Sequence, residues 1–162
     1  MDDEKYFSLS NVNILGNAYY YTNDKSTTPP DVKYKKKMKY EPKIMVWLAI
    51  SSKGISEPYI HRSKNAISEN VYLNQYVKPK LMPFIEKHLV NDEILFWLDL
   101  AHAHYSNVVL TYSESESVPI VPKANNPPNI PQERSIEDFW GILAQLVYEQ
   151  NWEVTSLKQL ER

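Results

Sequence analysis

An α/β fold, with a sheet covered by helices, is predicted by three features of this chain of 162 residues. Ile44-Met45-Val46-Trp47-Leu48-Ala49-Ile50 is a continuous apolar run of strand length, the pattern of a strand covered on both faces. Ile94-Leu95-Phe96-Trp97-Leu98 is a second run of the same kind. Between them, Tyr72, Leu73, Tyr76, Val77, Leu81, Phe84, Ile85 and Leu89 recur at three- and four-residue steps, the period of an amphipathic helix.

Taken in order, residues 4–9 and 18–22 read as strands joined by a turn around Asn13 and Gly16. Residues 23–43 are polar, carry Pro29-Pro30 and a lysine run, and read as a loop. The strand at 44–50 ends in a Ser52-Lys53-Gly54 turn, and Ile55 to His61 is a further short strand. A helix begins near Ser68, with Pro79 and Pro83 expected to kink or interrupt it. The strand at 94–98 follows, then a helix over 104–115 and a short strand at Val118-Pro119-Ile120-Val121-Pro122. Lys123 to Arg134 is a proline-rich loop. Ser135 reads as the N-cap of a helix whose apolar stripe is Ile136, Phe139, Trp140, Leu143, Leu146 and Val147, with Asp138 as an imperfect capping-box partner. Leu157 and Leu160 mark a last helix. No internal repeat is visible.

Composition fits one globular domain over 1–162. The chain is 43% apolar and 12% aromatic, which supplies a sizeable core. Its charges nearly balance, 18 basic against 20 acidic, so bulk charge gives no sign of nucleic-acid binding and any such binding rests on a local patch. The absence of cysteine excludes disulfides and thiolate metal sites. The acidic start Met1-Asp2-Asp3-Glu4 does not read as a signal peptide, and no apolar stretch reaches the roughly 18 residues of a membrane helix. A soluble intracellular protein is expected.

Three acids distant in sequence carry the chemistry. Asp99 ends an apolar strand, Glu137 opens an apolar helix, and Asp3 heads the first strand. A strand end, a helix start and a neighbouring strand can converge at one sheet edge. Convergent carboxylates repel unless cations join them, and hard divalent ions prefer carboxylate oxygen. Each acid also has a plainer reading: Asp99 as a turn residue, Glu137 as a complement to the helix dipole, Asp3 as a solvated terminal residue.

Four segments, in order, resemble those of Tc1/mariner transposases. Asp3-Glu4-Lys5-Tyr6-Phe7 resembles the segment carrying their first catalytic acid, and Ile44-Met45-Val46-Trp47 resembles a family strand. Phe96-Trp97-Leu98-Asp99-Leu100-Ala101-His102-Ala103-His104 resembles the strand and Asp-Asn-Ala-x-x-His motif of the second acid. Asn126 to Trp140, through Arg134-Ser135-Ile136-Glu137-Asp138-Phe139-Trp140, resembles the segment of the third. The resemblance spans almost the whole chain.

It implies an RNase H-like mixed five-stranded sheet flanked by helices, with Asp3, Asp99 and Glu137 as catalytic and metal-binding residues of a DDE domain. Two Mg²⁺ or Mn²⁺ ions are the implied cofactors. The 37 residues between Asp99 and Glu137 fit a longer-spaced branch with Glu at the third position. Leu100 stands where the family has Asn, so a polar side chain is missing there. Asp2 competes with Asp3 for the first role; Asp3 is preferred because it directly precedes Glu4. The family's helix-turn-helix region does not precede the first strand, so an N-terminally truncated catalytic domain is expected.

Lys33, Lys35, Lys36, Lys37, Lys39 and Lys43, interleaved with Tyr34 and Tyr40, form a basic, aromatic patch suited to phosphates and base stacking, or else a solvated loop. Lys33, Lys35, Lys36, Lys37, Lys39 and His104 are the expected DNA contacts. His104 matches the family histidine, and His102 lies beside it. Neutral imidazole is a poor Mg²⁺ ligand, so neither is taken as one. A structural hydrogen bond at a helix start is the other reading of both.

The resulting expectation is a nuclear DNA transposase domain. It would cleave phosphodiesters at transposon ends and join them to target double-stranded DNA, as a homodimer at full length. An inactive DNA-binding or dimerising relic, and another RNase H-like nuclease, are the alternatives.

Overall fold

The computed structural model describes residues 1–9, 20–34, 40–61, 66–128, 131–148 and 156–161. The chain forms two compact units. One comprises Met1–Tyr6 and Met45–Trp140, the other Phe7–Ile44 and Gly141–Arg162.

The first unit is built on a sheet. Strands β1 (Asp2–Ser8), β2 (Lys43–Ser51), β3 (Gly54–Ile55) and β4 (Tyr59–His61) form a four-stranded antiparallel sheet in which β2 pairs with each of the others. Against β2, Ile50 faces Ile55 and Ser51 faces Gly54, whereas Met45 faces His61 and Trp47 faces Tyr59. The register slips by one residue between β3 and β4, as a β-bulge requires. Ser56 fills the gap: its Oγ accepts the Ala49 N–H at 2.9 Å, and its own N–H donates to Ala49 O at 2.8 Å. The bulge therefore leaves neither group unsatisfied.

β2 is covered on both faces, as its unbroken apolar run requires. Ile44, Met45, Trp47, Leu48 and Ala49 are all buried. Met45, Trp47 and Ala49 belong to the main core with Tyr72, Leu73, Tyr76, Val77, Leu81, Met82, Phe96, Leu98, Val109 and Val118. Trp47 is fully buried and stacks on Tyr76 with ring centroids 5.3 Å apart, while Tyr59 approaches Tyr76 at 4.9 Å.

The long helical path runs through α2 (Glu69–Val71), a π-helical stretch (Tyr72–Leu81) and α3 (Met82–His88). Ser68 caps it, accepting the Val71 N–H. The prolines expected to kink or interrupt this helix do not end its helical path, but the α-helix gives way to π-helical turns around Pro79. Pro79 lies inside the π stretch, whose wider turn relieves the clash of a proline ring with the preceding turn. Pro83 falls in the first turn of α3, where its missing N–H is least costly.

Several expectations are corrected. Residues 94–98 and 118–122 do not form strands; they meet in one isolated parallel bridge, Phe96 with Ile120. Phe96 N–H donates to Pro119 O at 2.8 Å and Val121 N–H to Phe96 O at 2.9 Å. Pro119 and Pro122 have no N–H to extend that ladder. The described sheet therefore has four strands, where the sequence led to five. Helix α4 (Asn107–Ser115) starts after His104, not at it. Ser135 is the first residue inside α5 (Ser135–Val147), since Glu137 N–H already donates to Arg134 O at 2.9 Å. The proline-rich 123–134 segment holds two 3₁₀ turns, Lys123–Asn125 and Pro131–Glu133.

In the second unit, Phe7 and Tyr148 are buried and stack with centroids 6.5 Å apart. Tyr148 Oη donates to Ser8 O at 2.6 Å and accepts the Ser8 N–H at 3.0 Å. A one-turn helix α1 (Pro30–Lys33) interrupts the expected loop at 23–43, and Pro at its start suits the first turn. Residues 20–22 are not a strand, and the expected turn around Asn13 and Gly16 lies outside the described residues. The last helix, α6 (Leu157–Leu160), is present and capped by Ser156.

Candidate active site

Alternation along β1 sends its three acids to two sides. Asp2 is fully buried and accepts from Trp47 Nε1 at 2.9 Å and from the Tyr72 hydroxyl. Glu4 meets His104, whose Nε2 lies 3.0 Å from Glu4 Oε1. Asp3, between them, accepts from Trp140 Nε1 of α5 at 3.0 Å.

Asp99 follows the buried Leu98. A buried asparagine sets its position: Asn126 Nδ2 donates to Leu98 O at 2.8 Å, and Asn126 Oδ1 accepts from Trp97 Nε1 at 2.8 Å. Asp99 Oδ2 then accepts the Ala101 N–H at 3.2 Å, while Oδ1 accepts from Arg134 Nη1 at 2.9 Å. Arg134 Nη2 also donates to the Asp2 carbonyl at 2.7 Å.

The electrostatics are those of crowded acids. Burial pushes the Asp3 carboxyl up to about 7, and the neighbouring Glu137 and Asp99 add to the rise against the pull of Arg134. Burial likewise raises Glu4, opposed by the His104 hydrogen bond. Burial alone would lower His104, but the hydrogen bond to Glu4 and the charges of Asp2, Glu4 and Asp99 win and carry it up to about 9. The two partners' shifts pull against each other. We place the proton on His104, because three carboxylates face it.

Ligand atoms of Glu4, Asp99 and His104 lie within 4.8 Å of one another. Asp2 Oδ1 and His104 Nδ1 are buried without a hydrogen-bond partner among the described residues. Two carboxylates and an imidazole fit a first-row divalent ion such as Mn²⁺ better than Mg²⁺, which prefers oxygen alone. The residues present thus fit a divalent metal, provided His104 gives up its proton.

Of the three sequence-derived acids, only Asp99 belongs to this cluster among the described residues; Asp3 is held apart by Trp140, and Glu137 and Asp99 reach it only through their charge. Glu137 itself is exposed in the first turn of α5. His104, expected to touch DNA, is only 1% exposed and stacked on Tyr72 with centroids 3.9 Å apart, inside the cluster instead of on an outer surface. Lys33 closes α1 and is half-buried; Lys35, Lys36, Lys37 and Lys39 lie outside the described residues. Glu4 and Arg134 were missed. The two-residue step from Asp2 to Glu4 was a usable signal, whereas nothing local marks Arg134.

Glu4 of the first strand, Asp99 and His104 cluster beside the sheet, and comparison with solved structures specifies the fold that holds them. The chain is similar to Mos1 transposase in its paired-end complex with the left transposon end, with a TM-score of 0.73 at 14% identity, over 99% of this chain and 44% of that one. It is similar to the Mos1 mariner paired-end complex with Mn, with a TM-score of 0.71 at 14% identity over the same shares. The catalytic domain of Mos1 mariner transposase gives a TM-score of 0.56 at 15% identity, over 74% of this chain and 58% of that one. The fold is that of a Tc1/mariner transposase catalytic domain. The chain spans less than half the length of the Mos1 chain in these complexes. No family model and no curated protein matches it in sequence.

Proposed function

We propose that this chain is the catalytic domain of a DNA transposase that cleaves phosphodiesters at transposon ends and transfers the cut strand to target DNA. The observation that carries the proposal is the meeting of Asp99, at the end of the Leu98 segment, with Glu4 of β1 and His104, in a fold shared with Mos1 transposase. The RNase H-like five-stranded sheet belongs to this reading. It is supported by the Phe96–Ile120 parallel bridge and by the Asp2 N–H donating to Trp97 O at 3.3 Å, which ties the 94–98 segment to β1.

Asp3, Asp99 and Glu137 would hold two divalent ions, with Glu4 and His104 beside them. Such ions supply activation of the attacking water or hydroxyl and neutralisation of the leaving oxygen. The chain's own part is positioning. Trp140 holds Asp3, Asn126 and the Ala101 N–H fix Asp99, and the first turn of α5 presents Glu137. Double-stranded DNA is the proposed partner, reached in part through Lys33, Lys35, Lys36, Lys37 and Lys39. Homodimer assembly and nuclear action are proposed with it. Among the described residues, no helix is long and apolar enough to cross a membrane.

A second reading, a relic that binds DNA without cutting it, is favoured by Leu100 in place of the family's polar residue. Plasmid nicking separates the two. Mn²⁺-dependent nicking by the wild type, lost in Asp99→Asn, is expected of the enzyme. Gel shifts that persist in both proteins with no nicking in either would establish the relic.

A further inference from the structure

We propose that the Arg134 guanidinium is a built-in cation seated on Asp99, which a divalent ion must displace before Asp99 Oδ1 can serve as a ligand. The inference rests on the metal reading above. Both oxygens of Asp99 already have donors: Oδ2 has the Ala101 N–H at 3.2 Å, and Oδ1 has Arg134 Nη1 at 2.9 Å. The Ala101 amide is fixed by the backbone. The guanidinium sits on a flexible stem and is the donor able to leave.

It cannot leave by losing its proton, because arginine stays charged throughout the accessible pH range. Only competition with another cation moves it. Its seat is also incompletely compensated: Nη2 reaches the Asp2 carbonyl at 2.7 Å, but Nε is buried with no acceptor among the described residues. A buried donor without a partner carries a desolvation penalty that is recovered when the side chain turns to solvent. In the seated state, Arg134 also supplies positive charge to a site crowded by Asp2, Asp3, Glu4 and Asp99. Arg134 is therefore a positioning residue that sets how strongly the site takes up metal.

Calorimetric titration of Mn²⁺ into the wild type, Arg134→Gln and Arg134→Lys tests this. Removing a like charge beside the ion should tighten Mn²⁺ binding by about tenfold in Arg134→Gln. Arg134→Lys keeps the charge but loses the fork, and should fall between. Equal or weaker binding by folded Arg134→Gln overturns the inference and leaves the metal reading standing. No Mn²⁺ binding by either the wild type or Arg134→Gln overturns the metal reading itself, and this inference with it. Arg134→Gln could instead fail to fold, since the Asp2 carbonyl loses its donor. The wild type then decides by NMR, where Arg62, Arg134 and Arg162 are the only arginine side chains to assign. Saturating Mg²⁺ should shift the Arg134 Nε–Hε signal and speed its exchange with solvent; an unmoved signal overturns the proposal.

Discussion

At the scale of the residue, the site stores charge against its own preference. Asp3 illustrates the sign. Its carboxyl is raised from 3.8 to about 7, so the fold favours the protonated form. The stability it contributes is complete below pH 3.8 and is lost as pH rises through about 7. In chelator, the melting temperature should therefore fall across that window, and Asp3→Asn should flatten the fall; an unchanged slope in Asp3→Asn would count against a buried, protonated carboxyl there. His104 acts in a later window. Raised from 6.5 to about 9, it contributes stability that is complete below 6.5 and lost as pH climbs through about 9. A metal ion bound as proposed would reverse the preference at Asp3, because an ion favours the ionised carboxylate. Sequence made Asp3 and Asp99 visible through their motifs. It could not show Arg134, whose role depends on Asp99, 35 positions away in the chain.

At the scale of the element, continuous apolar runs were readable but their partners were not. The 44–50 run became β2, buried on both faces. The 94–98 run has the same composition and forms only a bridge, because the facing segment carries Pro119 and Pro122 and cannot return hydrogen bonds along its length. The tertiary hydrogen bonds of Asn126 hold the segment as a ladder otherwise would. Asn126→Ala leaves the Leu98 carbonyl and Trp97 Nε1 without their partners. It should cost about 1–3 kcal/mol in urea unfolding and weaken Mn²⁺ binding through misplaced Asp99. A loss of stability with unaltered Mn²⁺ affinity would separate Asn126 from the site. The proline-bearing helix shows the converse case. Pro79 reads as a breaker by local rule, yet a π-helical turn accommodates it because Tyr72, Tyr76 and Val77 are buried in the core.

At the scale of the whole molecule, the α/β class followed from element order, and the shared fold with Mos1 transposase bears out the resemblance read from four short motifs. Charge balance hid the proposed DNA-binding role, because opposite charges are segregated: acids gather at the candidate site and lysines between residues 33 and 43. Replacing Lys33, Lys35, Lys36, Lys37 and Lys39 with Ala should flatten the salt dependence of DNA binding by about 0.9 in log–log slope for each phosphate that is no longer neutralised. An unaltered slope would remove the lysines from the interface.

These acids are proposed to meet in order to hold metal. Anomalous diffraction from crystals grown with Mn²⁺ tests it most directly. A manganese peak within coordinating distance of Asp99, shared with Asp3, Glu137 or the Glu4–His104 pair, is the predicted result. A saturated crystal in which Asp99 still contacts Arg134 and no peak lies beside any of these acids would contradict it.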